Sequence, residues 1–240
     1  MRNLINFLII TTMFTLFCAG PVSAQQTAEL FEGEVTFQYE YLLHLPGDYD
    51  PESAQTYPFI LFLHGAGERG DDLDSVKLHG PPKFLDQEKD FPFIVVSPQC
   101  PAGEWWESYK LNTLMEELAE KYRIDRHRIY MTGLSMGGFG TWDFASRYPH
   151  WFAAIAPICG GGDERRVRRL KDLPVWTFHG MKDQVVPVER TLELVRALEQ
   201  VEGDIIFTVY PEADHDSWSE TYDNPALWDW FLEHKRQDTY

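Results

Sequence analysis

Hydrophobic positions along this chain follow two periods, one typical of strands and one typical of helices. Residues 35–45 alternate apolar and polar side chains, which predicts an edge strand with one buried face. Residues 59–63 and 93–96 are continuously apolar, a pattern typical of strands that are buried on both faces of a parallel sheet. Residues 111–122 instead place their apolar side chains at helical spacing.

The second half of the chain continues this alternation. Further strands are predicted at 129–132, 152–158, 175–178 and 205–210, and further helices at 139–148, at 194–201 and after Asn224-Pro225. Strands that alternate with helices predict an α/β fold with a mostly parallel central sheet of about eight strands, flanked by helices. Only about twenty residues lie between Phe152 and Val175, too few for a large lid.

Length and charge narrow the class of protein. With 240 residues the chain is long enough for one large domain with a substantial core. Its formal net charge is -17, and no basic face balances it. Nucleic acids and anionic membranes bind proteins that carry clustered Lys and Arg. We therefore expect neither as a partner. The composition leaves the oligomeric state open.

The first residues have the pattern of an export signal. Arg2 gives a positive start, residues 4–17 are mostly apolar, and small residues at 22–24 offer a cleavage site. We predict a signal peptide over residues 1–24 and a single domain over residues 25–240, in a secreted or periplasmic protein with no membrane attachment after cleavage. A lipid anchor at Cys18 is the alternative, which the bulky Phe17 before it fits poorly.

Export would leave Cys100 and Cys159 in the mature chain, each after a predicted strand. A disulfide between them and two unpaired, partly buried thiols are both open, because the geometry of a disulfide cannot be read from sequence. Neither cysteine has the Cys/His spacing of a metal site. We expect no metal and no cofactor.

The strongest chemical signal lies between Arg128 and Gly138, where Gly-x-Ser-x-Gly falls between a predicted strand and a predicted helix. Gly133 and Gly137 allow two backbones to pass closely, which forces a sharp turn and exposes Ser135 at the tip of the strand. The helix N-terminus behind this serine supplies amide donors beside the reacting oxygen. The pattern predicts that Ser135 is a nucleophile.

A serine hydroxyl is a weak nucleophile and needs a base, usually a histidine that a carboxylate orients. In sheets of this kind the partners follow in the order serine, acid, histidine. Asp183 follows the strand at 175–178 and His215 follows the last strand, so both are predicted at the same sheet edge as Ser135. The alternatives are a turn or helix-capping role for Asp183 and a solvated loop position for His215.

A tetrahedral intermediate also needs donors for its oxyanion. The predicted donors are the backbone amide of Met136, directly after the nucleophile, and that of Ala66 in the glycine turn at 65–67. The glycines can also serve only to make the turn tight. His64 and His179 each precede a glycine at a strand end, and we interpret both as residues that shape those turns.

Four segments together resemble the α/β-hydrolase superfamily: His-Gly-Ala-Gly-Glu-Arg-Gly at 64–70, Gly-Leu-Ser-Met-Gly at 133–137, His-Gly-Met-Lys-Asp at 179–183 and Asp-His at 214–215. Within it the chain is similar to the compact secreted esterases often labelled "predicted peptidase". These are close to feruloyl esterases, polyhydroxyalkanoate-depolymerase-like esterases and the carboxylesterase/phospholipase group. The likeness begins at about residue 37.

The resemblance implies one α/β-hydrolase catalytic domain over residues 25–240, without a large lid. It implies a serine esterase that works through an acyl-enzyme, with feruloyl or acetyl esters of plant cell-wall carbohydrate as the expected substrates. The implied catalytic residues and oxyanion amides are Ser135, Asp183, His215, Ala66 and Met136. A small serine peptidase, a generic short-chain carboxylesterase and a non-catalytic binding module of the same fold stay open as alternatives.

Three tryptophans are candidates for substrate binding. Trp105 and Trp106 follow a predicted strand, and Trp218 lies just past His215. Indole rings offer flat faces that stack on aromatic or sugar rings. Core packing is an equally good interpretation of the pair at 105–106.

Overall fold

The computed structural model describes residues 36–88 and 90–237. The predicted signal peptide at 1–24, Cys18 and the first residue of the predicted edge strand lie outside these ranges. The described residues from 37 onward form one compact unit. Among the described residues, no helix has the length and apolar character needed to cross a membrane.

Seven strands form one sheet in the order β1-β3-β2-β4-β5-β6-β7. The strands are β1 (Tyr41–His44), β2 (Tyr57–Leu63), β3 (Ile94–Pro98), β4 (Ile124–Leu134), β5 (Ala154–Ile158), β6 (Val175–Gly180) and β7 (Ile205–Tyr210). Among these described strands only β1 runs antiparallel to its neighbour, and the other pairs are parallel. The predicted mostly parallel α/β sheet is confirmed, with seven strands in the described part of the chain where about eight were expected.

The predicted edge strand is shorter than its alternating pattern. β1 pairs with β3 over four residues, from Tyr41 to His44. Before it, the rings of Phe37 and Tyr39 lie 5.7 Å apart, and Tyr39 contacts Trp106 at 5.8 Å. These aromatic side chains anchor residues 37–39 by packing, so the alternating pattern extends beyond the strand itself.

In the residues that the structure describes, seven α-helices cover the sheet. They are α1 (Pro82–Leu85), α2 (Ser108–Lys121), α3 (Met136–Arg147), α4 (Glu164–Val167), α5 (Glu189–Glu199), α6 (Trp218–Tyr222) and α7 (Pro225–Glu233). The last predicted helix is α7, which Asn224 caps by accepting from the amide of Ala226 at 3.1 Å. α3 begins three residues before its predicted start, because the Ser135 carbonyl already accepts from the Phe139 amide at 3.0 Å.

Each face of the sheet carries its own hydrophobic core. Phe59, Leu61 and Leu63 of β2 contact the core that contains α2, α3 and α5. Ile60 and Phe62 contact the core that contains α1, α6 and α7. Because side chains alternate across a strand, a strand buried on both faces must be continuously apolar, and every residue of β2 is buried. Because β2 to β7 are parallel, their carboxyl ends lie at one edge of the sheet. The candidate site lies at this edge.

Candidate active site

Ser135 lies at a strained turn between β4 and α3, with φ 52° and ψ -116°. A side chain at Gly137 would overlap the carbonyl oxygen of Leu63 at the end of β2, and one at Gly133 would overlap the Gly137 carbonyl. The turn is therefore possible only with glycine at both positions. This explains why the pattern Gly-x-Ser-x-Gly appears in the sequence at this point, with a half-buried serine at the strand tip.

The structure brings Ser135, His215 and Asp183 together. His215 Nε2 lies 2.9 Å from Ser135 Oγ, and His215 Nδ1 lies 2.7 Å from Asp183 Oδ2. The three residues are separated by 48 and 32 positions in the chain and come from the loops after β4, β6 and β7. Because Nδ1 faces a carboxylate, it carries the imidazole proton, and the lone pair of Nε2 faces the serine hydroxyl.

The Asp183 carboxylate is buried and fully hydrogen-bonded. Its Oδ1 accepts from the amides of Val185 and Val186 at 2.8 and 2.9 Å, and its Oδ2 contacts His215 and His179. Burial by itself would raise the pKa of Asp183, but the hydrogen bonds from His215 and the two amides outweigh it and hold the pKa below its ordinary value. The group is ionised at neutral pH and oriented toward His215.

The two segments predicted to supply oxyanion donors lie beside the serine. A side chain at Gly65 would come within 2.8 Å of Leu134, the residue before Ser135. Ala66 is exposed at the start of a 3-10 helix, Ala66–Glu68. Met136 is the first residue of α3, where backbone amides have no partner within the helix. The use of the Ala66 and Met136 amides as oxyanion donors stays a prediction.

His64 anchors the Ala66 segment. Its Nε2 accepts from the Cys100 amide at 2.9 Å, so Nδ1 carries the proton and donates to the Gly65 carbonyl at 2.6 Å. The His64 carbonyl accepts from the indole nitrogen of Trp106 at 3.1 Å. Burial lowers the pKa of His64 to about 4, so the ring is neutral. Through these hydrogen bonds His64 holds the turn in place, in agreement with the interpretation that it shapes the turn.

The three predicted substrate-binding tryptophans have different environments. Trp105 is exposed, at 58% of its surface, and lies edge-on to Phe139 at 6.5 Å. Trp218 is half-buried, and its ring lies perpendicular to that of His215 at 5.2 Å. Trp106 is buried, with 7% exposed. Its burial and its bond to His64 favour the core-packing interpretation for that residue.

Cavities near the nucleophile turn and near His215 are candidates for substrate binding. One, of about 350 Å³, lies beside Met136 and is lined by Trp105, Phe139 and Arg190 among others. The second, of about 580 Å³, lies beside His215 and is lined by Lys182, Val185, Asp214, Asp216 and Trp218. Open space therefore lies beside His215 and beside Met136, the residue that follows Ser135. Between β5 and β6 the chain forms only α4 and a 3-10 helix, Arg168–Leu170, which is too little structure for a large lid.

Cys159 lies directly behind the nucleophile, a proximity that the sequence did not reveal. Its Sγ lies 3.3 Å from the Ser135 amide, and the ligand atoms of Cys159, Asp183 and His215 lie within 4.8 Å of one another. Such a trio could hold a metal ion only by breaking the Asp183–His215 hydrogen bond. Burial also raises the pKa of the Cys159 thiol to about 12, whereas a metal requires the thiolate. The residues fit a hydrogen-bonded triad better than a metal site.

His179 is the second residue whose place the sequence did not reveal. It is fully buried, and its Nε2 lies 3.1 Å from Asp183 Oδ2. The spacing of four residues between His179 and Asp183 was visible in the sequence. This spacing did not predict a contact between the two side chains. The loop after β6, which brings Asp183 back to the end of the strand, has no regular periodicity.

Residues 108–226 match the dienelactone hydrolase family. The Probable feruloyl esterase C of Aspergillus terreus is 24% identical over 169 residues, which cover 68% of this chain and 62% of that protein. The bifunctional acetylxylan esterase/xylanase XynS20E of Neocallimastix patriciarum is 26% identical over 151 residues, which cover 60% of this chain and 21% of that protein. The chain thus spans less than two thirds of either relative.

Among solved structures, a thermostable esterase superposes with a TM-score of 0.71 and 36% sequence identity. The match covers 82% of this chain and 59% of the esterase. At this identity the similarity extends from the fold to the sequence of the chain. Sheet, turn and relatives agree: the chain has an α/β-hydrolase fold, and it is similar to dienelactone hydrolases and esterases.

Proposed function

We propose that this protein is a serine hydrolase of carboxylic esters, with Ser135 as nucleophile, His215 as general base and Asp183 as the orienting acid. The observation that carries the proposal is the continuous hydrogen-bonded line from Ser135 Oγ through both nitrogens of His215 to Asp183 Oδ2, at 2.9 and 2.7 Å. A nucleophile, a base in reach of it and a group that orients the base are the parts that acyl transfer needs.

In the first half-reaction His215 Nε2 takes the proton of Ser135 as Oγ attacks the ester carbonyl carbon. The carbonyl oxygen becomes an oxyanion, which the amides of Ala66 and Met136 stabilise. The protonated His215 then gives its proton to the alcohol oxygen as the carbon–oxygen bond breaks. The products are a free alcohol and an acyl group on Ser135.

In the second half-reaction a water molecule replaces the alcohol. His215 takes a proton from this water as its oxygen attacks the acyl carbon, and it returns the proton to Ser135 Oγ as the acid leaves. Asp183 keeps its charge throughout. Its low pKa supports this role, since an ionised carboxylate stabilises the imidazolium that forms twice in each cycle.

The two cavities suggest where the two halves of the substrate lie. The leaving alcohol must receive its proton from His215, so we assign the cavity beside His215 and Trp218 to the alcohol. The cavity beside Met136 is then the acyl site, and the exposed ring of Trp105 and the ring of Phe139 give it flat apolar walls. Such walls suit a feruloyl group, and an acetyl group fits without using them.

We propose acetyl or feruloyl esters of plant cell-wall carbohydrate as the substrates. The names of the two relatives from Aspergillus and Neocallimastix support this class, as do the aromatic acyl cavity and the absence of a large lid in the segment between β5 and β6. An open site can accept an ester on a polymer. We also propose that residues 1–24 export the protein, which would place it where such polymers occur.

The first test is a hydrolysis assay of the purified protein beside its Ser135→Ala variant. The substrates are p-nitrophenyl acetate, p-nitrophenyl butyrate, methyl ferulate, acetylated xylan and a chromogenic dipeptide amide. Loss of Ser135 should lower kcat by at least about 10³-fold, with an unchanged circular dichroism spectrum. Equal turnover by the variant and the unchanged protein would refute the proposed nucleophile.

The five substrates distinguish the proposed function from its alternatives. Faster turnover of methyl ferulate or acetylated xylan than of the p-nitrophenyl esters supports the carbohydrate-ester assignment. Turnover of only the small esters indicates a generic carboxylesterase, and cleavage of the amide indicates a peptidase. A folded protein that turns over none of the five would favour the non-catalytic binding module.

A further inference from the structure

A second imidazole contacts the acid of the triad. His179 Nε2 lies 3.1 Å from Asp183 Oδ2, the same oxygen that lies 2.7 Å from His215 Nδ1. His179 and the Asp183 side chain are both fully buried, whereas the His215 side chain is 19% exposed. The carboxylate oxygen therefore lies between one ring in the interior and one ring that opens to the site.

The proton of His179 can be assigned from its neighbours. Nε2 faces two acceptors, Asp183 Oδ2 and the Val186 carbonyl oxygen at 2.8 Å, so this nitrogen carries a proton. Nδ1 faces the hydroxyl of Thr191, which lies 2.8 Å from Nδ1 and 2.8 Å from the Gly160 carbonyl oxygen. The ring is thus held at both edges, by the loop after β6 and by α5.

We propose that His179 is a positioning residue, whose Nε2–H holds Asp183 Oδ2 in line with His215 Nδ1 while His215 gains and loses its proton. The inference rests on the proposed function. His215 changes charge twice in each turnover, so its own bond to the carboxylate strengthens and weakens. A buried donor that does not take part in the chemistry keeps the carboxylate oxygen fixed through both states. Displacements of about 1 Å near reacting groups can cost roughly 100-fold in rate.

The role predicts a specific kinetic pattern. His179→Leu removes the donor at similar volume, and kcat for p-nitrophenyl acetate should fall roughly 10- to 100-fold, the effect of one hydrogen bond to a charged group. KM should change less than about twofold, because His179 touches no substrate. His179→Gln can place an amide N–H near the position of Nε2, and it should recover most of the lost turnover.

A double-mutant cycle with Asp183→Asn separates positioning from a merely structural role. If His179 acts through Asp183, then His179→Leu should lower kcat less than about twofold in the Asp183→Asn background. Thr177→Val is the matched control, since it removes a buried hydrogen bond from the same strand, to the Pro157 carbonyl at 2.8 Å. It should lower the thermal midpoint and leave kcat unchanged.

The inference is overturned if His179→Leu keeps full kcat, or if it lowers kcat by the same factor with and without the Asp183 carboxylate. Should His179→Leu fail to fold, His179→Gln decides: turnover within a few-fold of the unchanged protein supports the role, and a loss as large as that of Asp183→Asn refutes it. Failure of the proposed function itself would appear differently, as equal activity of the unchanged protein and Ser135→Ala.

Discussion

The backbone amide of Ser135 points at the sulfur of Cys159, 3.3 Å away, and both residues have positive φ, 52° and 41°. The same amide lies 3.0 Å from the carbonyl oxygen of Ile158. Positive φ is unfavourable for residues with a side chain. The end of β5 therefore fixes the nucleophile turn from behind, through two strained residues in contact.

From this buried position we expect Cys159 to be unreactive. Burial raises the pKa of Cys159 to about 12 and that of Cys100 to about 11, and both are free thiols in the interior. Because the thiolate is the reactive form, we expect neither to react with a disulfide reagent at pH 8 in the folded protein. Both should react after denaturation in guanidinium. Labelling of Cys159 in the folded state with loss of activity would contradict this environment.

Gly137→Ala should disrupt folding at the nucleophile turn. Its Cβ would overlap the backbone of Leu63, and neither backbone can move without shifting β2 or α3. Overpacking of this kind costs about 1–3 kcal/mol or more. Gly67→Ala is the matched control, because a Cβ there meets nothing within 4 Å. The thermal midpoint of unfolding should fall strongly in Gly137→Ala and hardly at all in Gly67→Ala. Equal midpoints would show that the turn tolerates a side chain.

The two adjacent tryptophans should respond differently to truncation. Trp106→Ala should lower the free energy of unfolding by about 3–5 kcal/mol, as expected for a buried indole. Trp105→Ala should change it by less than about 0.5 kcal/mol, since the ring is mostly exposed, and should raise KM for methyl ferulate but not for p-nitrophenyl acetate. Unfolding curves and steady-state kinetics measure both effects. An unchanged KM for both esters would remove Trp105 from the acyl site.

Stability should fall in acid because of His64. Its pKa is about 4 in the folded protein against an ordinary value of 6.5, so between these values the unfolded chain binds a proton that the folded chain excludes. The folded state therefore loses stability as the pH falls through this window, by roughly 3 kcal/mol in total. His64→Gln, which keeps an acceptor for the Cys100 amide, should show a smaller loss between pH 6.5 and 4 in urea unfolding. Identical pH dependence of the two proteins would contradict a neutral His64.

Local patterns predicted most of the fold. Residues 59–63 and 205–210 lie in β2 and β7, because continuous apolar runs and β-favouring residues report on the strand itself. Element ends were less accurate, as in β1 and at the start of α3. The ends depend on pairing with β3 and on the turn at Ser135, which are tertiary features.

By itself the sequence determined the α/β alternation, the sharp turn that exposes Ser135, and the order serine, acid, histidine along the chain. These features are local, and glycine spacing and side-chain periodicity encode them directly. Only the tertiary structure decided that Trp106 is buried while Trp105 is exposed, that Cys159 lies behind the serine, and that His179 shares an oxygen of Asp183 with His215. Those relationships join residues from separate strands, and the register and packing of the sheet set the distances between them.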